Sequence, residues 1–195
     1  MRNFIFLTLL LCFGVQPTVF AQNNEAGTTP APAATVSNQI MLNHMITWMT
    51  FSDAAAEAEK TGKKMLVFVY SDYCGWCMKM QRETYPDSSV TNYLNQHYVL
   101  AKVNGDSQEK VQYKDMNFTE SELASALKAP GFPFHVFMEA GKEKLQYLQG
   151  IPGYLPADRF RQILKFIGED FYLSQDFNVF QQKETECRTA GKCAP

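Results

Sequence analysis

Apolar and polar positions divide the chain into blocks of different period, and the blocks read as alternating helices and strands. A continuous apolar run, Met65-Leu66-Val67-Phe68-Val69-Tyr70, is bounded by Gly-Lys-Lys and Ser-Asp, which predicts a central strand covered on both faces. Before it, Thr50 or Ser52 can cap a helix reaching about residue 60, with Phe51, Ala55 and Ala58 inward and Gly62 as its stop. After it, a helix over about 75–83 is expected, with Pro86 marking a break or a new start. Asp87 caps a further helix carrying Val90 and Leu94, and residues 98–103 read as a second strand. Residues 105–117 are polar and read as loop. Thr119 and Glu122 have capping-box spacing ahead of Leu123 and Leu127. A strand over 134–138, a turn at Ala140-Gly141-Lys142 and a partner over 145–148 form a hairpin. Pro156 opens an amphipathic helix with Phe160, Ile163, Leu164 and Ile167 on one side. The pattern predicts an α/β domain: a central mixed sheet flanked by helices, with a terminal antiparallel hairpin and a C-terminal helix.

The two ends of the chain differ from this middle. Met1-Arg2-Asn3 is a short basic start, residues 4–15 are apolar apart from Thr8, and Val19-Phe20-Ala21 offers small residues at a cleavage site. Residues 1–21 therefore read as a secretory signal peptide whose apolar core is too short to span a bilayer comfortably. A lipoprotein site at Cys12 fits poorly, because Leu11 stands where a small residue is wanted. Residues 22–38, with Pro30-Ala31-Pro32 in their middle, read as a flexible linker. The domain is expected over 39–180, followed by a polar tail over 181–195 that carries Cys187 and Cys193.

Charge and size narrow the function classes. The 195-residue chain has a formal net charge of −2, and loss of Arg2 with the leader makes the mature chain −3. It has no basic stripe or Arg cluster of the kind a nucleic-acid partner requires. Removal of residues 1–21 leaves 174, enough for one hydrophobic core.

The chemistry concentrates at Cys74-Gly75-Trp76-Cys77, directly after the buried strand. A helix starting there would point unpaired amide N–H groups and a partial positive charge at the first sulfur, which favours its thiolate. The second cysteine lies one turn later, within reach of a small disulfide ring. Export favours disulfides, and loss of Cys12 leaves an even count: Cys74, Cys77, Cys187 and Cys193. Cys187 and Cys193 pair with each other on this reading, with a relay to Cys77 or free thiols as the other options. Zinc is the main rival for the Cys-x-x-Cys pair, but the wide Cys187–Cys193 spacing and the scattered His44, His97 and His135 do not complete four ligands. Cu(I) held by Cys74, Cys77 and Met78 or Met80 is a further rival. No metal and no cofactor is expected.

The stretch from Lys63 to Met80 resembles the active-site region of exported thioredoxin-like thiol:disulfide oxidoreductases, a branch with a Cys-Gly-Trp-Cys site. The run Glu83-Thr84-Tyr85-Pro86-Asp87, then Val90, Tyr93-Leu94-Asn95 and Tyr98-Val99, resembles the same branch, as does Trp48 ahead of the Ala-rich helix. The similarity covers about residues 48–171 and implies a thioredoxin-like fold. It also implies that Pro133, within Gly131-Phe132-Pro133, is the cis-proline opposite the dithiol, and that the backbone of Phe132 docks an extended substrate. Cys74 would attack a substrate disulfide and Cys77 would resolve the mixed disulfide, with Gly75 tuning the loop and Tyr73 and Trp76 forming an apolar rim. The family implies disulfide-bearing protein substrates, a membrane thiol electron donor, a periplasmic location and a monomer. A client-binding, chaperone-like module and a dithiol oxidase are the alternatives. One departure stands out: thioredoxins place a buried Asp six residues before the first cysteine, and this chain has Phe68 there.

Overall fold

The computed structural model describes residues 45–142 and 144–191. The leader expected at 1–21, the linker at 22–38, the first residues of the domain and Cys193 lie outside the described residues. The chain divides into two units, Met1–Ala33 and Ala34–Pro195, and all described residues belong to the second.

Helix α1 (Phe51–Thr61) starts where Thr50 accepts the amide of Asp53 and stops at Gly62, whose φ of 70° is a left-handed conformation that glycine tolerates. Strand β1 (Lys64–Tyr70) follows, and Met65 through Val69 are completely buried, as a central strand requires. Helix α2 (Gly75–Lys79) continues directly into a π-helical turn over Met80–Thr84, closed by Tyr85 N donating to Met80 O at 3.0 Å. The single helix expected over 75–83 is thus two segments. The wider turn is tied to the loop before the last core helix: Thr84 Oγ1 donates to Leu155 O, and Leu155 N donates to Met80 Sδ.

Asp87 caps α3 (Ser88–His97) through the amides of Ser89 and Val90, and strand β2 (Tyr98–Asn104) returns beside β1. The segment read as loop between 105 and 117 contains a hairpin instead, β3 (Lys110–Tyr113) and β4 (Met116–Thr119). Its strands are four residues each, and half of those eight residues are exposed. Val111 is the buried anchor among charged and amide side chains, so the alternation was too short to register. Thr119 and Glu122 form the expected capping box on α4 (Glu120–Ala126).

Strands β5 (Phe134–Ala140) and β6 (Leu145–Pro152) complete the main sheet, with a register shift at Phe137/Met138. Its order is β2-β1-β5-β6, with β1 and β2 parallel and the other pairs antiparallel. Helix α5 (Ala157–Gly168) buries Phe160, Ile163, Leu164 and Ile167, with Pro156 as its cap residue. A 3-10 turn (Phe171–Leu173) leads to α6 (Phe177–Thr189), so the polar segment after Phe180 is helical as far as Thr189. Helix α6 lies on α5 through Lys165–Glu184 at 2.9 Å and Gln181–Gln162 at 2.9 Å.

Two apolar layers sandwich the sheet. Met65, Val67 and Val69 face α1, α4 and the small hairpin. Leu66 and Phe68 face α2, the π turn, α3 and α5.

Candidate active site

The end of β1 sets the site. Tyr70 closes the strand, and three residues, Ser71 to Tyr73, carry the chain to Cys74 at the N-cap of α2. Polar contacts hold that loop. Ser71 Oγ donates to Asp106, Tyr73 N donates to Ser71 Oγ at 3.2 Å, and Asn104 Nδ2 donates to Asp72 at 2.8 Å. Gly105 N donates to Tyr70 O at 2.8 Å, fastening the end of β2 to the end of β1.

Cys74 and Cys77 form a disulfide with Cα atoms 5.2 Å apart. The Cys74 sulfur accepts the amide of Cys77 at 3.0 Å, so a helix N-terminal N–H points at the sulfur. In the reduced protein the same donor favours thiolate at Cys74. The two sulfurs differ in access: Cys74 is half-buried, whereas Cys77 is fully enclosed among Leu66, Phe68, Met80 and Phe160. That asymmetry suits one nucleophile open to substrate and a second that acts only within the molecule.

Pro133 enters the site through strand register. Val69 pairs with Phe134, so the residue before Phe134 falls level with Tyr70, where the redox loop begins. The Phe132–Pro133 peptide bond is cis. Gly153 N donates to Pro133 O at 2.8 Å, and the Phe132 ring lies so close to Gly105 that a Cβ there would overlap it. Cys74 and Phe132 both pack at the margin of the same apolar layer. Gly75 opens α2, Tyr73 is 91% exposed and Trp76 is 59% exposed.

Several residues at the site were not singled out by sequence. Tyr154 stands beside Trp76, with ring centroids 5.7 Å apart. The Lys79 ammonium lies 5.3 Å from the Trp76 centroid and 4.6 Å from that of Tyr154. Glu83 accepts from Tyr154 Oη at 3.0 Å. Together they form an aromatic rim with one cation. The only cue was position, since Tyr154 lies just ahead of Pro156 at the end of the hairpin.

Beneath the redox helix three residues stand abreast: Lys102 of β2, Phe68 of β1 and His135 of β5. His135 is completely buried between Phe68 (centroids 5.5 Å apart) and Phe160 (5.0 Å), and neither ring nitrogen meets hydrogen-bond geometry with a partner among the described residues. Burial lowers its pKa to about 4; the Ile151 backbone beside it pulls the other way and is outweighed. Tyr85 Oη is likewise buried without a partner among the described residues, and burial raises its pKa well above the usual value. Burial also lowers the pKa of Lys102, and Asp72 opposes that shift.

Cys187 lies on α6 and is disulfide-bonded, whereas Cys193 is outside the described residues. Among the described residues, no three of His, Cys, Asp or Glu cluster as a metal site would need. No helix among them is long and apolar enough to cross a membrane.

The sequence matches the thioredoxin-like domain family over residues 51–168. The chain belongs to this family. Among characterised relatives, it is 28% identical over 107 residues to a disulfide bond reductase, DsbH, of Chlamydia pneumoniae. That match covers 54% of this chain and 64% of the relative, just under two thirds of the relative's length. Among solved structures, a thioredoxin from Thermus thermophilus superposes with a TM-score of 0.54 at 24% identity, covering 63% of this chain and 86% of that one. A thioredoxin-fold protein from Helicobacter pylori gives a TM-score of 0.54 at 21% identity, covering 72% and 87%. At these identities the superpositions establish the fold alone.

Proposed function

We propose that this member of the family is a periplasmic thiol–disulfide oxidoreductase that reduces disulfides in exported proteins. One observation carries the reading: a half-buried Cys74 at a helix N-terminus, disulfide-bonded to a fully buried Cys77. The Cys74 thiolate attacks one sulfur of a substrate disulfide, and the other substrate sulfur leaves as thiolate. Cys77 loses its proton and attacks Cys74. The substrate's second thiolate departs, and the Cys74–Cys77 disulfide holds the oxidising equivalents. Two electrons have passed from the dithiol to the substrate. A membrane thiol donor would return them. The exposed Tyr73 and Trp76, with Phe132 and Pro133 beside the dithiol, would receive an extended protein segment.

The direction of transfer is taken from the disulfide bond reductase of Chlamydia pneumoniae, and the compartment from the signal-like residues 1–21. In this reading the mature protein begins at Gln22, acts as a monomer and closes a tail loop through Cys187 and Cys193.

The test is the reduction potential of the Cys74–Cys77 pair against glutathione, together with turnover on a protein disulfide. A value near or below about −220 mV with turnover supports the reductase; a value near about −120 mV marks an oxidant instead. Cys74→Ser is expected to abolish turnover, and Cys77→Ser to accumulate the mixed disulfide. If Cys74→Ser leaves function intact and Phe132→Ala removes it, the protein is a client-binding module.

A further inference from the structure

Three consecutive residues between β6 and α5, namely Gly153, Tyr154 and Leu155, hold two parts of the site at once. Gly153 N donates to Pro133 O at 2.8 Å, which fastens this short bridge to the segment that carries Phe132. Its φ of 85° is a left-handed conformation that glycine tolerates. Leu155 N donates to Met80 Sδ at 3.3 Å, and Thr84 Oγ1 donates to Leu155 O at 2.6 Å. Leu155 is thus bonded to both ends of the π-helical turn that continues the redox helix. Between these anchors, Tyr154 reaches the redox helix itself. Its ring stands 5.7 Å from that of Trp76, and its Oη donates to Glu83 at 3.0 Å. The Lys79 ammonium lies 4.6 Å from the Tyr154 centroid and 5.3 Å from that of Trp76, and it is 3.8 Å from Glu83. Trp76 sits between the two cysteines and stays 59% exposed. Among the described residues, its ring and cation contacts are Tyr154 and Lys79.

We propose that Tyr154 is a positioning residue for client docking: it holds the Trp76 ring in place relative to the Phe132–Pro133 segment, and so favours disulfides carried by an extended polypeptide over small ones. An extended segment laid against Phe132 continues past the open sulfur and meets the Trp76 ring. A small disulfide needs little more than the Cys74 sulfur. An exposed ring left free to turn must be ordered each time a long client binds, and that ordering costs affinity. Tyr154 removes the cost in advance. Its face packs on Trp76, the shared ammonium of Lys79 ties the two rings together, and the Glu83 carboxylate holds its hydroxyl. The backbone on either side has little play, because Gly153 is bonded to Pro133 and Leu155 to Met80 and Thr84. Tyr154 acts through Trp76 and takes no part in the exchange of sulfur bonds.

The inference rests on the Cys74–Cys77 pair being the redox centre, and the experiment keeps the two apart. With dithiothreitol as reductant, the wild-type chain is assayed on oxidised glutathione and on extended synthetic peptides joined by one disulfide. A chain that turns over neither overturns the redox reading, and this inference with it. If both react, Tyr154→Ala is expected to lower kcat/KM for the peptide disulfide about fivefold more than kcat/KM for glutathione, mostly through KM. Tyr154→Phe keeps the ring beside Trp76 and Lys79, and its selectivity should stay within about twofold of wild type. In a Trp48→Phe background Trp76 is the sole tryptophan, and its fluorescence anisotropy is expected to decay faster once the Tyr154 ring is removed. If Tyr154→Ala does not fold, Tyr154→Leu decides, because it fills part of the space without an aromatic face. A folded variant that lacks the ring and keeps the wild-type selectivity overturns the proposal, as does a Phe variant that loses as much as the Ala variant. A tyrosine that only supports the fold would lower the unfolding midpoint and leave both the selectivity and the Trp76 anisotropy where they were.

Discussion

On one side of the sheet, Met65, Val67 and Val69 meet Ala54, Ala55 and Ala58 of α1, and among the described residues the buried side chains of that layer are apolar. On the other side, Leu66 and Phe68 meet Cys77, Tyr85, Tyr98 and Phe160, and His135 stands among the rings. Neighbouring residues of one strand thus enter two different media. The α1 side needs only close packing, and small alanines let the helix approach the sheet. The redox side also needs a reactive sulfur, and it is filled with large rings whose faces can hold a cation and whose bulk keeps water from Cys77. Chemistry sits on the side that contains imperfectly satisfied groups: Tyr85 Oη and both His135 nitrogens are the buried side-chain atoms without partners among the described residues.

The sharpest way to break the comparison is to truncate one residue on each side. Val67 and Phe68 are adjacent and both completely buried. Phe68 touches the rings of Trp48, Tyr70, Tyr85 and His135. Phe68→Ala is expected to destabilise the oxidised protein by about 4 kcal/mol, and Val67→Ala by about 2 kcal/mol. Urea unfolding of the two variants checks this. Equal losses would mean that the aromatic side is loosely packed and that the ring cluster contributes no more than its share of methylenes.

Much of this arrangement could be read along the chain because it depends on local pattern. The run Met65 to Val69 is apolar at every position, which only a doubly covered strand explains. Thr119 and Glu122 lie three residues apart and their capping box forms as spaced. The Cys74–Cys77 pair spans one helical turn, so its disulfide needed no tertiary information. What escaped depends on register between distant segments. Lys102, Phe68 and His135 come abreast only when β2 and β5 flank β1, and no single window of sequence contains all three. The lysine in an otherwise apolar strand was the available signal. The small hairpin escaped for the opposite reason: Val111 and Phe118 are too few apolar anchors to show a period.

A second prediction uses pH to separate the two sides. His135 is buried with its pKa lowered to about 4, against an ordinary value of 6.5. Between those values the unfolded chain binds a proton that the folded chain refuses. Its contribution is intact above about pH 6.5 and is lost as pH falls toward about 4, up to about 3 kcal/mol. Among the described residues the α1 layer has no buried titratable group to do the same. Asp87, which its Ser89 hydrogen bond holds below the usual carboxylate range, loses its contribution at lower pH. His135→Leu is expected to flatten the stability profile between pH 6.5 and 4, read from urea midpoints at each pH. The same slope in wild type and variant would place the acid sensitivity elsewhere.

The smallest effect is expected at Tyr85, and it is informative because it is small. Its ring contacts Trp48 at 5.0 Å and Phe68 at 5.1 Å, and both contacts survive in Tyr85→Phe. The change removes only a buried hydroxyl that has no partner among the described residues. A buried group left unsatisfied carries its desolvation penalty without a compensating bond, so its removal should leave stability unchanged or raise it by about 1 kcal/mol. If the hydroxyl is merely tolerated, exchange between the Cys74–Cys77 pair and glutathione keeps its wild-type rate in this variant. A slower exchange with unchanged stability would instead make the hydroxyl part of the redox side's chemistry, because a packing role cannot slow the reaction without also moving the unfolding midpoint. Stopped-flow tryptophan fluorescence, with Trp76 beside the dithiol as reporter, distinguishes these outcomes.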